Sequence, residues 1–469
     1  MKHCLCLGSA LLLSVASPAQ NFMGLATSPN SGTNRAYLNP ALTADSPHAL
    51  YINIGAANVH INNDYLRYNA PYSLVDLLGG TVPPEYRTAT GDLRFSTDYT
   101  REILDGKLKS GTVWGEVRGP AIQFRLNRGS TLGVSTRLRS SAQVQGAPQQ
   151  LLSAVRASLN SGALFSIPSE NNQLAANTNT YAEFRLTYAG TLLDNEEGSK
   201  LLLGATVKYL GGYSSAHLLN RGLTYEVVSD PNLPQGAVLR VNQIDADLGF
   251  TTYLNNKRLN LRTLLNPFTP GNGIGLDVGL AYIHQPEPDG PVLRLGAALN
   301  DLGSIRYRGE AYTLMQEDVR FTTTDFNGVR AIRDIVPVLR DRFNVNPANS
   351  RPTFWSGLPT SLNVSAEYQS TAGSGLAVVW IQDMQPANAR AMHQPTLVSV
   401  TPRYETGFLG LALPITYLNS SLLFGTALKL GPVWLGSDNL AGLIGRGGSL
   451  VQPKGVDIYA SLAIGISRE

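Results

Sequence analysis

The residues of this chain that could take part in catalysis or metal binding are six histidines and carboxylates that are spread thinly along the sequence. No two histidines are four residues apart, and neither HxH nor HExxH occurs, so the spacing does not predict a zinc site. GxSxG and GxxxxGK[ST], used by serine hydrolases and P-loop nucleotide binders, are also absent from the sequence. We therefore expect neither a metal nor another cofactor. The histidines are His3, His48, His60, His217, His284 and His393.

General acid–base chemistry is the form of catalysis for which residues can still be named. His284 follows Asp277 in one segment of the chain, and Glu367 lies in another. Hydrolysis would need a nucleophile or an activated water within hydrogen-bond reach of such a base. The competing interpretation is that arginines and carboxylates on facing strands pair with one another. We favour ion pairing between these side chains and predict that the chain is not an enzyme. An outer-membrane hydrolase is kept as a third hypothesis behind the two functions given below.

The N-terminus has the pattern of a secretory signal peptide. Lys2 supplies a positive charge, residues 5–15 are apolar, and Ser17-Pro18-Ala19 offers small residues to a peptidase. The pattern predicts a signal peptide over residues 1–19, cleaved after Ala19, against the alternative of a short buried helix. Both cysteines of the chain lie within it, so the mature chain would contain no thiol. Disulfides, thiolate metal sites and cysteine nucleophiles are thereby excluded.

The composition argues against an ordinary soluble protein. Charged residues make up 15% of the chain, where soluble domains carry about 25%. Yet no apolar stretch beyond the first twenty residues approaches the roughly 18 that a membrane-spanning helix needs. The net charge of +3 is spread along the chain without blocks of Lys or Arg, so we expect no nucleic-acid partner.

Alternation of apolar and polar residues recurs from about residue 50 to the end of the chain. It is clear over residues 122–139, 182–188, 274–282 and 456–466. Such alternation predicts strands with one face in apolar surroundings and the other in polar ones. The polar phase predicts the residues that face the inside of a barrel, namely Arg125, Arg137, Glu183, Arg185, Asp277, Arg294 and Glu367.

A soluble β-sandwich would also alternate, so a second feature has to decide. The polar phases here hold Gly, Ser, Asn and single charges rather than the Lys, Glu and Thr of a surface in bulk water. Many segments also have the roughly 9–11 residues that a tilted membrane strand requires. We therefore predict an all-β fold: a transmembrane antiparallel β-barrel over residues 49–469, with 14 strands preferred within a range of 12–16. The expected location is the outer membrane, with its lipid as a partner.

The connections that are too long for hairpin turns are residues 72–110, 141–178, 213–235 and 305–358. In outer-membrane barrels the long loops are extracellular and the short turns periplasmic. Helical spacing within 148–160, and between Val329 and Phe343, predicts helices in two of these loops, the second kinked at Pro337.

The segment before the first strand is predicted to be a hatch or plug over residues 20–48. Pro40 fixes its own φ angle and biases Asn39 towards an extended backbone. The Asn39 side chain can also bond the local backbone, which would make a rigid wedge. Asn39, Pro40 and Ala41 are therefore the candidate gating residues. A tether lying in the periplasm is the alternative for this segment.

Three stretches resemble one family of barrels. Asn30–Ala41, which ends in Asn-Pro-Ala, is similar to the N-terminal signature of the FadL-type long-chain fatty acid transporters and of the PorV-like proteins of type IX secretion. The stretches 295–307 and 430–439 resemble strand motifs of the same group. The overall pattern most resembles an uncharacterised outer-membrane family of Bacteroidota. The resemblance implies a 14-stranded barrel with an N-terminal plug and lateral passage of hydrophobic molecules.

Two further functions follow as hypotheses. The first is a channel or carrier for a small hydrophobic solute. The alternative is a non-transporting barrel that serves as a subunit or shuttle of a protein secretion system and binds an exported protein. A lumen that is open, or apolar behind the hatch, would favour the channel. A sealed, charge-filled lumen with a large apolar loop surface would favour the secretion subunit.

Overall fold

The structure, a computed structural model, describes residues 22–88, 91–94, 96–127, 129–157, 169–195, 197–229, 237–251, 269–326, 332–449 and 452–467. The predicted signal peptide and its cleavage site after Ala19 lie outside the described residues. The strands are β1 His48–Asn63, β2 Leu66–Tyr68, β3 Thr100–Glu102, β4 Lys109–Asn127, β5 Ser130–Ala147, β6 Ser169–Asp194, β7 Ser199–Ser229, β8 Ala237–Phe250, β9 Gly271–His284, β10 Val292–Thr322, β11 Arg351–Gly357, β12 Ser361–Gln369, β13 Ser374–Asp383, β14 Leu397–Glu405, β15 Leu409–Ala412, β16 Ile415–Leu418, β17 Ser421–Phe424, β18 Thr426–Leu430, β19 Val433–Ser437 and β20 Gly455–Ser467.

These strands close into an antiparallel barrel of 14 strands. Strand pairing runs from β1 through β4, β5, β6, β7, β9, β10, β12, β13 and β14 to two interrupted strands, β15–β16 and β17–β18, and then through β19 and β20 back to β1. The first and last strands pair over nearly their whole length, from His48 with Ser467 to Asn62 with Gly455. The predicted fold class and the preferred strand count are confirmed.

Alternation along each strand separates an apolar outer face from the lumen. On β9, Leu276, Leu280 and Tyr282 are exposed on the outside, whereas Asp277 and Ala281 are buried. The short strands β12, β13 and β14 have nine, ten and nine residues, about the number needed to cross an apolar layer of about 25 Å at a tilt. The outer face is therefore apolar over the height of a bilayer.

The strands continue further beyond the barrel than the sequence predicted. Residues 213–229 and 305–322, expected as loops, are the upper parts of β7 and β10, and β8 pairs between them. Residues 169–178 likewise belong to β6 rather than to a loop. The loop prediction was wrong there because a neighbouring strand satisfies the backbone hydrogen bonds beyond the membrane band, where the side chains need not alternate strictly. Turns of two to seven residues lie at the opposite end, as between β4 and β5.

The helices are short and lie in the loops and inside the barrel. They are α1 Met23–Ala26, α2 Leu74–Leu78, α3 Gln149–Arg156, α4 Ile332–Arg342 and α5 Leu440–Ile444. The predicted loop helices correspond to α3 and to α4, which contains Pro337. Leu339 of α4 packs on an apolar cluster of the extended sheet around Phe250 and Tyr312. Among the described residues, no helix is long and apolar enough to cross a bilayer.

Candidate functional site in the occupied lumen

Residues 22–46, named here the inner segment, lie inside the barrel. The segment consists of α1 and two 3-10 helices, Gly32–Tyr37 and Pro40–Asp45. All of its residues are buried except Asn30, Tyr37, Ala44 and Asp45, which are half-buried. Pro40 opens the second 3-10 helix, and the side chain of Asn39 accepts a hydrogen bond from the Ala41 backbone N–H over 2.9 Å. The local bond expected for the Asn39-Pro40 wedge is thus present.

The wedge rests on a patch of wall that lacks side chains. Asn39 Nδ2 donates to the Leu280 carbonyl oxygen on β9 over 2.8 Å. A Cβ atom on Gly279 would lie 2.0 Å from Asn39 Oδ1, and one on Gly204 would lie 2.4 Å from the Ala41 nitrogen. Close backbone approach is a common reason for glycine within a strand. The sequence carried this signal, but only the pairing of Gly204 with Gly279 shows that the two glycines form one patch.

The ring of Tyr37 lies in the lumen among three guanidinium groups. The ring centroid is 3.9 Å from Cζ of Arg185, 4.0 Å from Cζ of Arg118 and 4.8 Å from Cζ of Arg137. An aromatic face attracts cations, and more strongly where water is excluded. The inner segment therefore supplies part of the environment that these buried arginines need.

Four of the predicted lumen residues form one buried ion-pair network around that ring. Arg137 binds Glu183 through two hydrogen bonds of 2.7 and 2.9 Å, and Arg185 donates to Asp277 over 2.8 Å. Lys208 bridges Asp277 and Asp301. The other members were missed by the sequence analysis, although they too lie on polar phases of strands. They are Glu116, Arg118, Arg139, Lys208 and Asp301.

The three other predicted lumen residues contact the inner segment instead of a charge on a facing strand. Glu367 accepts from Arg35 Nη2 over 2.6 Å, and Arg294 Nε donates to Asp45 over 2.5 Å. Arg125 is half-buried and donates to the backbone carbonyl of Ser46. Charges of the wall are thus matched to charges and carbonyls of the segment.

The opposite side of the lumen is apolar, and α1 fills it. Met23 packs with Ile381, Leu418 and Leu423 of the wall, while Leu25 belongs to a second cluster around Trp434. The sequence did not predict the apolar side of the lumen or its contact with α1. Where both faces of a strand are apolar, the residues do not alternate between apolar and polar, so the face that lines the lumen cannot be told from the outer face.

Two carboxylates hold the start of α1. The Met23 backbone N–H donates to Asp438 Oδ2 over 2.9 Å, and the Tyr459 hydroxyl donates to Asp438 Oδ1 over 3.1 Å. The backbone N–H of Asp438 donates to Asp457 Oδ1 over 2.7 Å, and His60 Nδ1 is 3.2 Å from Asp457 Oδ2. The polar groups at the end of the segment are therefore fixed to the wall beside β19 and β20.

The barrel wall is interrupted next to Asp438, the carboxylate that holds the start of α1. In the described part of the chain, β19 pairs with β20 only over Val433–Gly436, and β17 pairs on one side only, with β16. Above that point α5 occupies the space between β17 and β20, and a Cβ on Gly442 would lie 2.3 Å from the Gly455 carbonyl oxygen. Lys454 Nζ also reaches Ser421 Oγ over 3.3 Å across the space. By contrast, the strands behind Asn39-Pro40 are continuously paired, so no lateral gap lies there.

The described residues fill most of the lumen. A cavity of about 30 Å³ lies between Tyr37, Leu38 and the ion-pair network and could hold one or two waters. On the lumen side of the extended sheet, Arg221 and Arg390 bind Asp247 over 2.8 and 2.5 Å. Burial raises the pKa of Asp247, but hydrogen bonds from Arg390 and Arg221 outweigh it and hold the pKa at about 2.

The residues weighed for acid–base chemistry are separated. His284 Nδ1 is 2.9 Å from Ser199 Oγ at the end of β9, Asp277 binds Arg185, and Glu367 binds Arg35. Among the described residues there is also no group of three His, Cys, Asp or Glu placed to hold a metal ion.

Comparison with solved structures finds other barrels at low similarity. The toluene transporter TbuX of Ralstonia pickettii is 11% identical, with 92% of this chain and 93% of that chain covered and a TM-score of 0.39. The toluene transporter TodX of Pseudomonas putida is also 11% identical, with 93% of each chain covered and a TM-score of 0.33. These values are too low for any property of those transporters to be transferred to this chain. No curated protein matches the sequence.

A family model covers most of the barrel. The family is described as one of unknown function, and its model matches residues 40–438, from the proline of the wedge to the carboxylate that anchors α1. The chain therefore belongs to the family of unknown function DUF5723.

Proposed function

We propose that the protein is an outer-membrane channel for a small hydrophobic solute, which leaves the barrel sideways where α5 fills the wall. Location in the outer membrane is supported by the apolar outer face, by strands of membrane-crossing length and by the signal-peptide pattern. The observation that most directly supports a channel is the interruption of strand pairing in the wall between β17 and β20.

A passage along the barrel axis does not suit an apolar solute. Such a solute would have to displace Tyr37 and then pass buried ion pairs whose charges would be left unpaired. The interrupted wall offers a shorter path, because apolar residues lie on both sides of it. Leu423 and Met23 lie behind it, and Leu422 and Phe424 face outwards on the same strand.

The inner segment would act as the gate of this path. Its first helix occupies the apolar side of the lumen and is fixed through Met23 to Asp438, directly before α5. Displacing α1 would therefore open apolar space beside the interruption, while the 3-10 helix that begins at Pro40 stays on its glycine patch. Asn39, Pro40 and Ala41 would then be the fixed end of the gate rather than its moving part.

Reversible obstruction of the interruption tests the proposal. Ile444 of α5 is 66% exposed, and Ile444→Cys would be the only thiol of the mature chain if the signal peptide is removed. In cells that carry the protein in their outer membrane, a charged thiosulfonate reagent on this thiol should slow entry of N-phenylnaphthylamine, an apolar fluorescent probe. A reductant should restore the entry rate.

The matched control is Val155→Cys on α3, which is also exposed but lies on a different loop. Labelling it should leave probe entry unchanged. Entry that is no faster than in cells without the barrel, or that is insensitive to the label at position 444, would overturn the channel proposal.

The second candidate function is the secretion subunit, which binds an exported protein. It is favoured by the closed, charge-filled side of the lumen and by exposed apolar residues on two loop helices, Val75 and Leu78 on α2 and Ile444 on the adjacent α5. It predicts that probe entry never exceeds the background and that charge at Leu78 abolishes export of a partner protein.

A further inference from the structure

Two arginines lie on the outside of β10 without a side-chain partner among the described residues. Arg306 and Arg308 are exposed. Ile305, which precedes them, and Tyr307, which lies between them, are completely buried. Neither guanidinium makes an ion pair or a hydrogen bond with a side chain of the described residues. Both side chains therefore project from the outer wall, on the same face as the apolar residues lower on the strand.

Their height places them at the edge of the apolar band. Leu293, Leu295 and Leu299 are the large outward apolar residues of β10 below the two arginines. At about 3.3 Å per residue and a tilt near 40°, Arg306 lies roughly 30 Å above Leu293, beyond an apolar band about 25 Å tall. Trp355 of β11 pairs with Arg306 of β10 and is 55% exposed. An exposed tryptophan is typical of the level of lipid headgroups.

Among the described residues on the neighbouring strands, none compensates the positive charge of Arg306 and Arg308. The next carboxylate along the strand, Glu310, is held by Arg340 and by the Tyr312 hydroxyl. On the other neighbouring strand, β9, the residue that pairs with Arg306 is Asn272, which is uncharged. A guanidinium binds a phosphate oxygen pair through two parallel hydrogen bonds, which makes arginine the preferred residue for this group.

We infer that Arg306 and Arg308, beside Trp355, bind the phosphate of an anionic lipid headgroup in the outer leaflet. This inference rests on the membrane location proposed above but not on transport. Such a lipid would lie with its headgroup on the arginines and its chains on Ile274, the outermost apolar residue of β9, which is 70% exposed.

Quenching of tryptophan fluorescence by brominated lipids tests the site. The full chain is refolded into phosphatidylcholine vesicles, and brominated phosphatidic acid is compared with brominated phosphatidylcholine of the same chains. Each arginine near a charged lipid surface contributes about a five-fold preference. The signal of Trp355 is the part of the quenching that Trp355→Phe removes. In that part, the variant Arg306→Gln/Arg308→Gln should lose roughly 25-fold of the preference for phosphatidic acid.

Two controls separate the possible failures. Arg320→Gln, an exposed arginine higher on β10, should keep the preference, and Arg306→Lys/Arg308→Lys should keep part of it because the charges remain. A double glutamine variant that keeps the full preference would overturn the lipid site. A wild-type chain that does not insert into the vesicles would instead overturn the proposed membrane location.

Discussion

The amide of Asn39 donates to the carbonyl oxygen of Leu280, so a side chain of the inner segment is bound by the backbone of the barrel wall. A second carbonyl oxygen, that of Ala297 on β10, lies 3.4 Å from the same nitrogen. The wall can present these carbonyls only because Gly279 and Gly204 leave room for Asn39 and Ala41. The position of the segment is therefore determined by missing side chains as much as by charges.

Replacing Gly279 with alanine should weaken this contact. The new Cβ would lie 2.0 Å from Asn39 Oδ1, and overpacking of this kind costs about 1–3 kcal/mol. Gly133→Ala on β5 is the control, because its Cβ would meet only ordinary contacts from 3.5 Å. The free energy of unfolding from vesicles in urea, together with protease cleavage within residues 22–46, would measure both variants. Equal stability of the two would show that the glycine patch does not position the segment.

The buried ion pair between Arg137 and Glu183 should be far more costly to break than an exposed one. Both side chains are at most 3% exposed, and Glu183→Gln leaves Arg137 with weaker acceptors in a buried site. Removing one partner of a buried pair costs about 3–5 kcal/mol, whereas an exposed pair is worth at most about 1 kcal/mol. Asp194→Asn, which breaks the exposed pair with Lys200, is the control. Similar losses in urea titrations would mean that solvent screens the pair between Arg137 and Glu183.

The outward position of Leu280 predicts a large cost for a charge. Leu280→Arg should lose roughly 2–4 kcal/mol if the site is near the middle of the bilayer. From the sequence alone, Asp277→Asn on the opposite face is expected to be mild unless Asp277 is ion-paired. Because Asp277 is bound by Arg185 and Lys208, we now expect a loss of several kcal/mol there as well. Ser135→Ala, a small buried residue of β5, replaces it as the mild control in vesicle refolding. A Leu280→Arg variant as stable as Ser135→Ala would contradict the apolar band.

The sequence predicted what depends on alternation and failed where distant residues meet. Strand positions such as those of Glu183 and Arg185 follow from the period of two, so the barrel and the faces of its strands could be derived. That Lys208 would join Asp277 to Asp301 could not, since it depends on which strands are neighbours and on a bulge in β10 between Leu299 and Leu302. The apolar side of the lumen was missed because β13 is apolar on both faces, with Val378 outside and Val379 inside.

Removal of the signal peptide remains a prediction that mass spectrometry can check. Small residues at Ser17 and Ala19 follow the apolar residues 5–15, so cleavage is expected after Ala19. The intact mass of protein purified from membranes should correspond to a chain that begins at Gln20 and does not react with thiol reagents. A mature species that retains Cys4 would contradict both the export prediction and the absence of thiols.

Deleting residues 21–41, with the signal peptide retained, bears most directly on function. The wall closes through pairing of β1 with β20 and contains no strand from the inner segment, so we expect the barrel to fold. It should be less stable, because Glu367 loses Arg35 and three arginines lose the ring of Tyr37. The freed lumen would be lined by charged groups on one side and by apolar residues on the other, and it would admit water and ions. Conductance in planar bilayers should therefore rise well above that of the intact protein.

The outcomes of this deletion separate the roles of the inner segment. Asn39→Ala is the milder companion variant, since it removes the bond to Leu280 and keeps the ion pairs, and it should raise the frequency of short openings only. Failure of the deletion variant to fold, together with unchanged conductance of Asn39→Ala, would show that the segment merely completes the barrel core. Unchanged conductance in a folded deletion variant that no longer exports a partner protein would favour the secretion subunit. Raised conductance together with faster entry of the apolar probe is the result that a gate requires, because removing α1 opens the polar lumen to ions and the apolar space beside the interrupted wall to the probe.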